Sequence, residues 1–274
     1  MSGNIPERPL LEVRRLSVSL RNTQNTLIKG ISFYINQGEV LGLVGESGSG
    51  KSLTSLAIAG LLPRTMYPSG SILLNGNEII GARESSLVNI RGRDAAIVFQ
   101  EPGYALDPLM KTGKQIALPL KKHSGLTGIK LHDAVLALME EVKLSDIERI
   151  AGSFSHEISG GQRQRVAIAL ALACSPKLLI ADEPTSSTDA SIQKQLVELI
   201  HDTAAKRGIA VLFISHDIAI VHKIARRIIV MKDGTIVEEA DGDALIKNPQ
   251  HEYTKLLISS ARKLSLGAKN PGSL

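Results

Sequence analysis

Sulfur and aromatic side chains are scarce in this chain. Its 274 residues include one cysteine, Cys174, no tryptophan, and only 3% aromatic residues. A single cysteine excludes disulfides, cysteine-ligated zinc and iron–sulfur clusters within one chain, and it fits a reducing compartment. Few rings are present on which single-stranded bases could stack, so we do not expect a nucleic-acid partner even though the net charge is +5.

Long apolar segments are also missing. The longest purely apolar run covers residues 166–174, which is far short of the roughly 20 residues that a membrane span requires. Residues 1–8 contain no apolar signal core. We therefore expect a cytosolic chain that does not cross a bilayer by itself. Its length allows one large α/β domain or two small ones with a sizeable core.

A glycine-rich loop at residues 45–52 is the most informative feature, because it matches G-x-x-x-x-G-K-[ST] without interruption. An apolar run at residues 40–44 precedes it and an apolar-periodic segment follows it, which predicts the order strand, loop, helix. Inward-turned backbone N–H groups, the helix N-terminus and a lysine together favour a polyphosphate. The expected ATP-binding residues are Gly45, Glu46, Ser47, Gly48, Ser49, Gly50, Lys51 and Ser52, of which Ser52 also offers its hydroxyl to Mg²⁺.

Two kinds of strand pattern flank the middle of the chain. Alternating apolar residues predict strands between residues 10 and 40, and Asn75-Gly76 predicts a hairpin within residues 71–80. We expect these strands to form a small antiparallel sheet beside the nucleotide. From residue 162 onward, helix and strand patterns alternate, which favours a parallel sheet. Asp233-Gly234 then predicts a type I′ hairpin.

The segment between these two parts has a helical character. Its clearest pattern places Val135, Leu138, Met139 and Val142 on one helix face. No strand pattern occurs between residue 101 and residue 178, so we predict an inserted helical subdomain at about residues 101–158. The alternative is a helical layer of the main sheet. We expect residues 1–264 to form a single domain and residues 265–274 to form a disordered tail.

Two carboxylates follow the apolar strand pattern at residues 178–181. Such a strand end, downstream of a phosphate loop, is where a magnesium partner is expected. Asp182 would hold the metal through water, and Glu183 would polarise the attacking water as general base. The alternative is a pair of solvated turn carboxylates.

A second candidate anion site lies at residues 159–162, which form the capping box S-x-x-Q with two glycines inside it. An ordinary helix cap does not explain the glycines, because each lowers helix propensity by about 1 kcal/mol relative to alanine. Uncovered N–H groups at a helix start attract anions. This second site has no lysine of its own, which suggests that it serves the nucleotide of another chain. Its residues are Ser159, Gly160, Gly161 and Gln162.

Together these motifs resemble the nucleotide-binding subunit of an ABC transporter. The resemblance also includes Gln100 at the end of a strand and His216 in Ser215-His216-Asp217, and it extends over residues 10–257. It implies an α/β fold of the P-loop NTPase class, with a RecA-like mixed sheet core, a small antiparallel β subdomain and an inserted helical subdomain. It also implies that Gln100 reaches Mg²⁺ and the attacking water, and that His216 contacts the γ-phosphate. Two such subunits would sandwich two ATP molecules between them.

Within that family the chain looks most like the ATPase subunits of peptide and nickel importers. Residues 248–257, Asn-Pro-Gln-His-Glu-Tyr-Thr-Lys-Leu-Leu, are similar to the Pro-x-His-Pro-Tyr-Thr ending of those proteins. The resemblance implies two transmembrane permease subunits, a second ATPase subunit that is identical or homologous, and an extracytoplasmic binding protein that acts indirectly. The chain would then lie at the cytoplasmic face of the membrane as a peripheral subunit.

Several residues depart from the family pattern. Cys174 alone cannot form the cysteine-rich C-terminal site of many peptide-transporting members. Ile158 replaces a leucine before the capping box, and Thr188 replaces an apolar residue near the expected subunit contact. Leu20 stands where an aromatic ring is expected to stack on adenine.

Two other functions compete with transport. One is a soluble ABC-type ATPase that does mechanical work on nucleic acid or ribosomes, although such proteins usually carry two cassettes or a long coiled coil. A nucleotide kinase would leave residues 159–162 unexplained. Our leading interpretation is an importer subunit that, on its own, binds ATP but hydrolyses it poorly, because hydrolysis requires a second ATPase subunit.

Overall fold

The computed structural model describes residues 8–21, 25–101, 105–184 and 190–267. These ranges contain two β-sheets and helices on both sides of the larger one. The strands are β1 (Leu11–Leu20), β2 (Thr26–Ile35), β3 (Val40–Val44), β4 (Met66–Leu74), β5 (Asn77–Glu78), β6 (Ala95–Val98), β7 (Leu178–Asp182), β8 (Ala210–Ser215), β9 (Arg227–Lys232) and β10 (Thr235–Asp241). The helices are α1 (Lys51–Ile58), α2 (Glu84–Ile90), α3 (Thr112–Ser124), α4 (Gly128–Glu141), α5 (Ile147–Gly152), α6 (Gly160–Leu172), α7 (Ala190–Arg207), α8 (Ile218–His222), α9 (Gly242–Lys247) and α10 (Glu252–Gly267).

The smaller sheet is antiparallel, with the strand order β2-β1-β4-β5. Apolar residues on one face of β1, such as Leu11 and Val13, are fully buried, and polar residues between them face outward. The hairpin between β4 and β5 turns at Asn75 and Gly76, which both have positive φ. The predicted antiparallel sheet and its turn are therefore confirmed.

The larger sheet has the order β10-β9-β3-β8-β7-β6 and is parallel except for the antiparallel pair of β9 and β10. Strands β7 and β8 are buried at every residue, which is typical of a parallel sheet covered by helices on both faces. Asp233 and Gly234 both have positive φ (48° and 80°), so the predicted type I′ turn is confirmed. The result is the mixed sheet expected of the fold class.

The apolar core is divided between the two faces of the larger sheet. On one face, Leu41 and Leu43 of β3 pack with α1 and the antiparallel sheet. On the other face, Val211 and Phe213 of β8 pack with α6, α7 and α8. Strand β3 contributes to both clusters, because Val44 packs on the second face, and the glycine-rich loop begins at its C-terminal end.

Helices α3, α4 and α5 lie between β6 and α6, and the predicted apolar face of α4 is buried through Val135, Leu138 and Met139. These helices pack against one another and against α6. The boundaries of an inserted subdomain at about 101–158 remain a prediction.

One boundary needs correction. Helix α10 continues to Gly267, so residues 265–267 are helical rather than part of a disordered tail. Leucine and lysine in residues 263–266 are good helix formers, which explains the extension. Residues 268–274 lie outside the described part of the chain. Within the described part, every helix is too short or too polar to span a membrane.

Candidate functional site

The glycine-rich loop connects β3 to α1, as its sequence predicts. Glycine is required at its first position, because a Cβ atom on Gly45 would lie 2.3 Å from the carbonyl oxygen of Met231. Gly48 and Gly50 have positive φ of 83° and 103°, a conformation that disfavours other residues. The backbone N–H of Gly234, in the turn between β9 and β10, donates a hydrogen bond to the carbonyl of Ser49 (3.1 Å). The backbone conformation of the loop therefore depends on its own glycines and on a hydrogen bond from the neighbouring hairpin.

Lys51 is the first residue of α1, and only 4% of its surface is exposed. Its ammonium group donates hydrogen bonds to the carbonyl oxygens of Gly45 (2.8 Å) and Glu46 (2.9 Å). The Nζ atom also lies 3.7 Å from a carboxylate oxygen of Glu183. Burial lowers the pKa of Lys51, although the nearby carboxylates act in the opposite direction. A partly desolvated cation in a phosphate loop is well placed to bind an oxyanion.

Asp182 ends β7 beneath the loop. One of its carboxylate oxygens accepts a hydrogen bond from the hydroxyl of Ser52 (3.0 Å), and the other accepts one from Ser55 (2.8 Å). Burial raises the pKa of Asp182, and the two serine hydroxyls partly offset that shift. The paired hydroxyl and carboxylate oxygens fit a hard cation such as Mg²⁺. The contact with Ser55 was not foreseen from the sequence.

Glu183 and His216 come together from the ends of two adjacent strands. The Nδ1 atom of His216 lies 3.2 Å from a carboxylate oxygen of Glu183. Glu183 has a positive φ of 46°, and its N–H donates to the carbonyl of Ile214 in β8 (3.0 Å). The strained backbone turns the carboxylate away from the strand and toward the loop. This pair can orient and polarise a water molecule.

Lys51, Glu183 and His216 line one cleft of about 1050 Å³. Its polar lining includes Glu46, Ser47, Gly48, Gly50, Lys51, Ser52, Gln100, Glu183 and His216, and its apolar lining includes Leu27, Leu53, Met66, Leu256 and Leu257. The cleft thus brings six of the eight predicted loop residues together with Gln100, Glu183 and His216, whereas Gly45, Ser49 and Asp182 are not among its lining residues. Leu20 is not among the lining residues. It pairs with Met66 across β1 and β4, and Met66 does line the cleft.

The capping box begins α6. The hydroxyl of Ser159 accepts from the N–H of Gln162 (3.3 Å), and the N–H of Ser159 donates to the side-chain oxygen of Gln162 (3.0 Å). Both hydrogen bonds of the box are therefore present. Cβ atoms on Gly160 and Gly161 would approach no neighbour closer than 3.9 Å and 3.8 Å, so the fold of this chain does not require glycine there. None of these residues lines the cleft that holds the phosphate loop.

Two other contacts connect the site to distant segments. The side-chain amide of Gln164, on α6, donates to the carbonyl of Pro184 directly after Glu183 (2.7 Å). The N–H of Glu46 donates to the hydroxyl of Tyr253 on α10 (2.8 Å). Neither side chain has a role that the sequence predicts, although Tyr253 lies in the C-terminal motif at residues 248–257. Thr188 lies outside the described residues.

The metal prediction rests on mixed oxygen donors rather than on a carboxylate cluster. Among the described residues, no group of three or more histidine, cysteine, aspartate or glutamate side chains could hold an ion. Ser52, Asp182 and Gln100 supply one hydroxyl, one carboxylate and one amide. Such a set suits Mg²⁺, which usually binds one or two carboxylates together with substrate phosphates and water.

Several known proteins are similar to this chain in sequence. Curated relatives include the peptidoglycan transport ATP-binding protein YejF of Agrobacterium fabrum, 43% identical over 93% of this chain. The chain spans only 48% of the length of that relative. The oligopeptide transport ATP-binding protein OppD of Bacillus subtilis is 42% identical over 92% of this chain and 71% of its own length. The metal-staphylopine import system ATP-binding protein CntD of Staphylococcus aureus is 38% identical over 93% of this chain and 94% of its own length.

Solved structures of ATP-binding cassettes are similar to this chain in fold. A dimeric post-hydrolysis state of the ATP-binding cassette MJ0796 bound to ADP and phosphate aligns with a TM-score of 0.75 at 27% identity, over 84% of this chain and 98% of the other. CbiO1 of Clostridium perfringens, part of the transporter complex cbiONQ, aligns with a TM-score of 0.75 at 25% identity, over 96% and 100%. The family described as ABC transporter matches residues 28–186. The chain belongs to the ABC transporter family.

Proposed function

We propose that this chain is the ATP-hydrolysing subunit of a membrane importer, and that it couples ATP binding and hydrolysis to the uptake of small peptides or of nickel or other metal chelates. The observation that carries the proposal is the convergence of Lys51, Glu183 and His216 on one cleft beneath the phosphate loop. Relatives named as peptide and metal-staphylopine import subunits support the importer class.

The chemistry follows from the charges around the cleft. Lys51 would exchange its two carbonyl partners for phosphate oxygens of ATP. Glu183 would accept a proton from the attacking water, as the oxygen of that water bonds to the γ-phosphorus and the bond to the leaving ADP breaks. His216, in contact with Glu183, would orient the carboxylate and contact the γ-phosphate. Ser52, Asp182 and Gln100 would hold Mg²⁺, which supplies charge neutralisation for the phosphates when it is bound.

A second ATPase subunit, identical or homologous, would complete the site. Ser159, Gly160 and Gly161 present a helix start that does not line this chain's own cleft. A helix start with uncovered N–H groups is an anion site. We therefore infer that it contacts the γ-phosphate bound to the partner and that the partner returns the same contact. The isolated chain would then bind ATP but hydrolyse it slowly.

The importer would also contain two transmembrane permease subunits, with an extracytoplasmic binding protein acting indirectly. The chain would sit at the cytoplasmic face of the membrane as a peripheral subunit. Closure of the two ATPase subunits on ATP and their reopening after hydrolysis would move the helices α3–α5 relative to the sheet, and this motion would be passed to the permeases. Nucleic acid has no part in this cycle.

The central test is ATP turnover by Glu183→Gln in the assembled complex. Loss of the general base should lower turnover by about 10²–10⁴-fold, while ATP binding is retained. Glu140→Gln is the matched control, because Glu140 is exposed on α4 and should leave turnover unchanged. Wild-type turnover by Glu183→Gln would refute its role as base.

A second test separates the importer from a soluble ATPase. The wild-type chain should remain with the membrane fraction, and its turnover should rise when transport substrate and binding protein are supplied to the reconstituted complex. Release from membranes in low-salt buffer, together with ATPase activity stimulated by DNA or RNA, would favour the soluble alternative.

A further inference from the structure

The C-terminal motif at residues 248–257 has no role in the chemistry described so far. Its first half anchors the start of α10 on strand β10. The carboxylate of Glu238 accepts hydrogen bonds from the backbone N–H groups of Gln250 (2.8 Å) and His251 (3.0 Å). The Nδ1 atom of His251 in turn accepts from the N–H of Tyr253 (3.1 Å). The motif thus fixes where α10 begins and where Tyr253 points.

Tyr253 points at the phosphate loop. Only 5% of its surface is exposed, and its hydroxyl accepts a hydrogen bond from the N–H of Glu46 (2.8 Å). The ammonium group of Lys232, at the end of β9, lies 5.1 Å from the centre of its ring. Burial raises the pKa of Tyr253, so its hydroxyl stays neutral at physiological pH. One turn further along α10, Leu256 and Leu257 line the nucleotide cleft itself.

The hydrogen bond from Glu46 involves the peptide unit that also holds the lysine. The N–H of Glu46 and the C=O of Gly45 belong to the same planar peptide. Its N–H donates to Tyr253, and its oxygen accepts from the ammonium group of Lys51 at 2.8 Å. Any rotation of this peptide would move both contacts together. Tyr253 therefore fixes the direction of a carbonyl on which Lys51 rests.

We propose that Tyr253 is a positioning residue for the phosphate loop, and that helix α10 contributes to the ATP site through this residue. The inference rests on the proposed function, since it concerns the same cleft. Tyr253 holds the first peptide of the loop in the orientation that sets Lys51, so the loop is ordered before the nucleotide arrives. Preorganisation of this kind favours binding because less freedom is lost when the ligand binds. Its loss should weaken ATP binding more than it slows the chemical step.

The test is ATP affinity of the 274-residue chain, measured by titration calorimetry with MgATP. Tyr253→Phe removes only the hydroxyl and keeps the buried ring, and we expect its Kd to rise by about 3- to 10-fold, the equivalent of one lost hydrogen bond. Tyr34→Phe is the matched control, because Tyr34 is exposed on β2 and should bind ATP like the wild type. In the assembled complex, Tyr253→Phe should raise KM for ATP by a similar factor and leave kcat within about twofold.

A double-mutant cycle separates positioning from general loss of packing. In a Lys51→Met background the lysine that Tyr253 positions is gone, so Tyr253→Phe should change ATP affinity by less than about twofold. An equal effect in both backgrounds would overturn the inference. So would a Tyr253→Phe chain that binds ATP as the wild type does, and in that case the proposed function would still stand. A wild-type chain that does not bind ATP would overturn the proposed function and this inference with it.

Discussion

Gly161 offers a sharp test of the claim that the start of α6 serves another subunit. It is the second residue of that helix and is not among the positive-φ glycines. A Cβ atom there would meet only the Cγ2 atom of Ile192, at an ordinary contact distance of 3.8 Å. The fold of the single chain therefore has room for the methyl group of alanine at this position.

The expected effect on stability is small and favourable. Alanine is better than glycine in a helix interior by about 1 kcal/mol, and the gain is smaller in the first turn, where fewer backbone hydrogen bonds are made. A gain of about 0.5 kcal/mol raises Tm by about 1–2 °C in a chain of this size. The nucleotide-free Gly161→Ala chain should thus be as stable as the wild type or slightly more stable.

The expected effect on catalysis is the opposite. If the N–H groups at the start of α6 approach a phosphate held by the second subunit, a methyl group on Gly161 would stand between them. Loss of a single well-placed donor to an oxyanion costs about 10²–10³-fold in rate in other enzymes. We expect ATP turnover at the site that this helix completes to fall at least about tenfold.

Thermal melts of the chain and ATPase assays of the assembled complex together decide the question. Gly45→Ala serves as the contrast, because its Cβ would lie 2.3 Å from the carbonyl oxygen of Met231 and the single chain should lose stability. Gly161→Ala with normal turnover in the complex would refute the assignment of α6 to a shared site. A large drop in Tm for Gly161→Ala would show that the glycine serves the chain's own fold.

Three further substitutions test the site in the single chain. Asp182→Asn should raise the Tm of the nucleotide-free chain at pH 7, because burial raises the pKa of Asp182 and so penalises its ionised form. That gain should shrink as the pH falls and vanish in melts below about pH 3.9, the ordinary aspartate pKa, where the carboxyl is protonated in both the folded and the unfolded wild-type chain. Gln164→Leu should lower the free energy of unfolding in urea by about 1–3 kcal/mol, because the carbonyl of Pro184 loses its donor. Gly234→Ala should lower it by more than about 1 kcal/mol and weaken ATP binding in calorimetry, because its Cβ would lie 2.1 Å from the carbonyl oxygen of Leu27.

Each of these expectations has a clear contrary result. Equal melting of Asp182→Asn and the wild type at pH 7 would mean that the buried carboxylate carries no penalty. A Gln164→Leu chain of unchanged stability would show that water satisfies the carbonyl of Pro184. Normal ATP affinity in Gly234→Ala would separate the hairpin turn from the phosphate loop.

Local patterns were sufficient to predict most of the fold. The apolar alternation in β1 and the turn residues Asp233 and Gly234 act over a few residues, and both predictions are confirmed. Helix α2 was missed because its seven residues, Glu-Ser-Ser-Leu-Val-Asn-Ile, carry too few apolar positions for a periodic pattern. The disordered tail was also expected to begin too early, at residue 265, whereas α10 continues to Gly267.

The candidate site was predictable only where a motif carries it. The loop with Lys51, and the strand end with Asp182 and Glu183, were read from contiguous residues. Tyr253 was not, because its partner Glu46 lies 207 positions away in sequence. Neither hydrophobic periodicity nor motif spacing predicts a contact between residues so far apart in sequence. It depends on how β10 and α10 return to the end of β3.

The contacts around the loop also explain how stability and function oppose each other in this chain. Lys51 is buried with two carbonyl partners and a carboxylate at 3.7 Å, and its pKa is lowered by desolvation. In the chain without nucleotide, therefore, the folded state carries a cation whose burial is only partly compensated. Phosphate oxygens are stronger partners for an ammonium group than peptide carbonyls, because the phosphate group is ionised. The free-energy cost of removing water from the lysine is incurred when the chain folds, so it is not incurred again when ATP binds. The attraction between lysine and phosphate therefore contributes directly to ATP affinity.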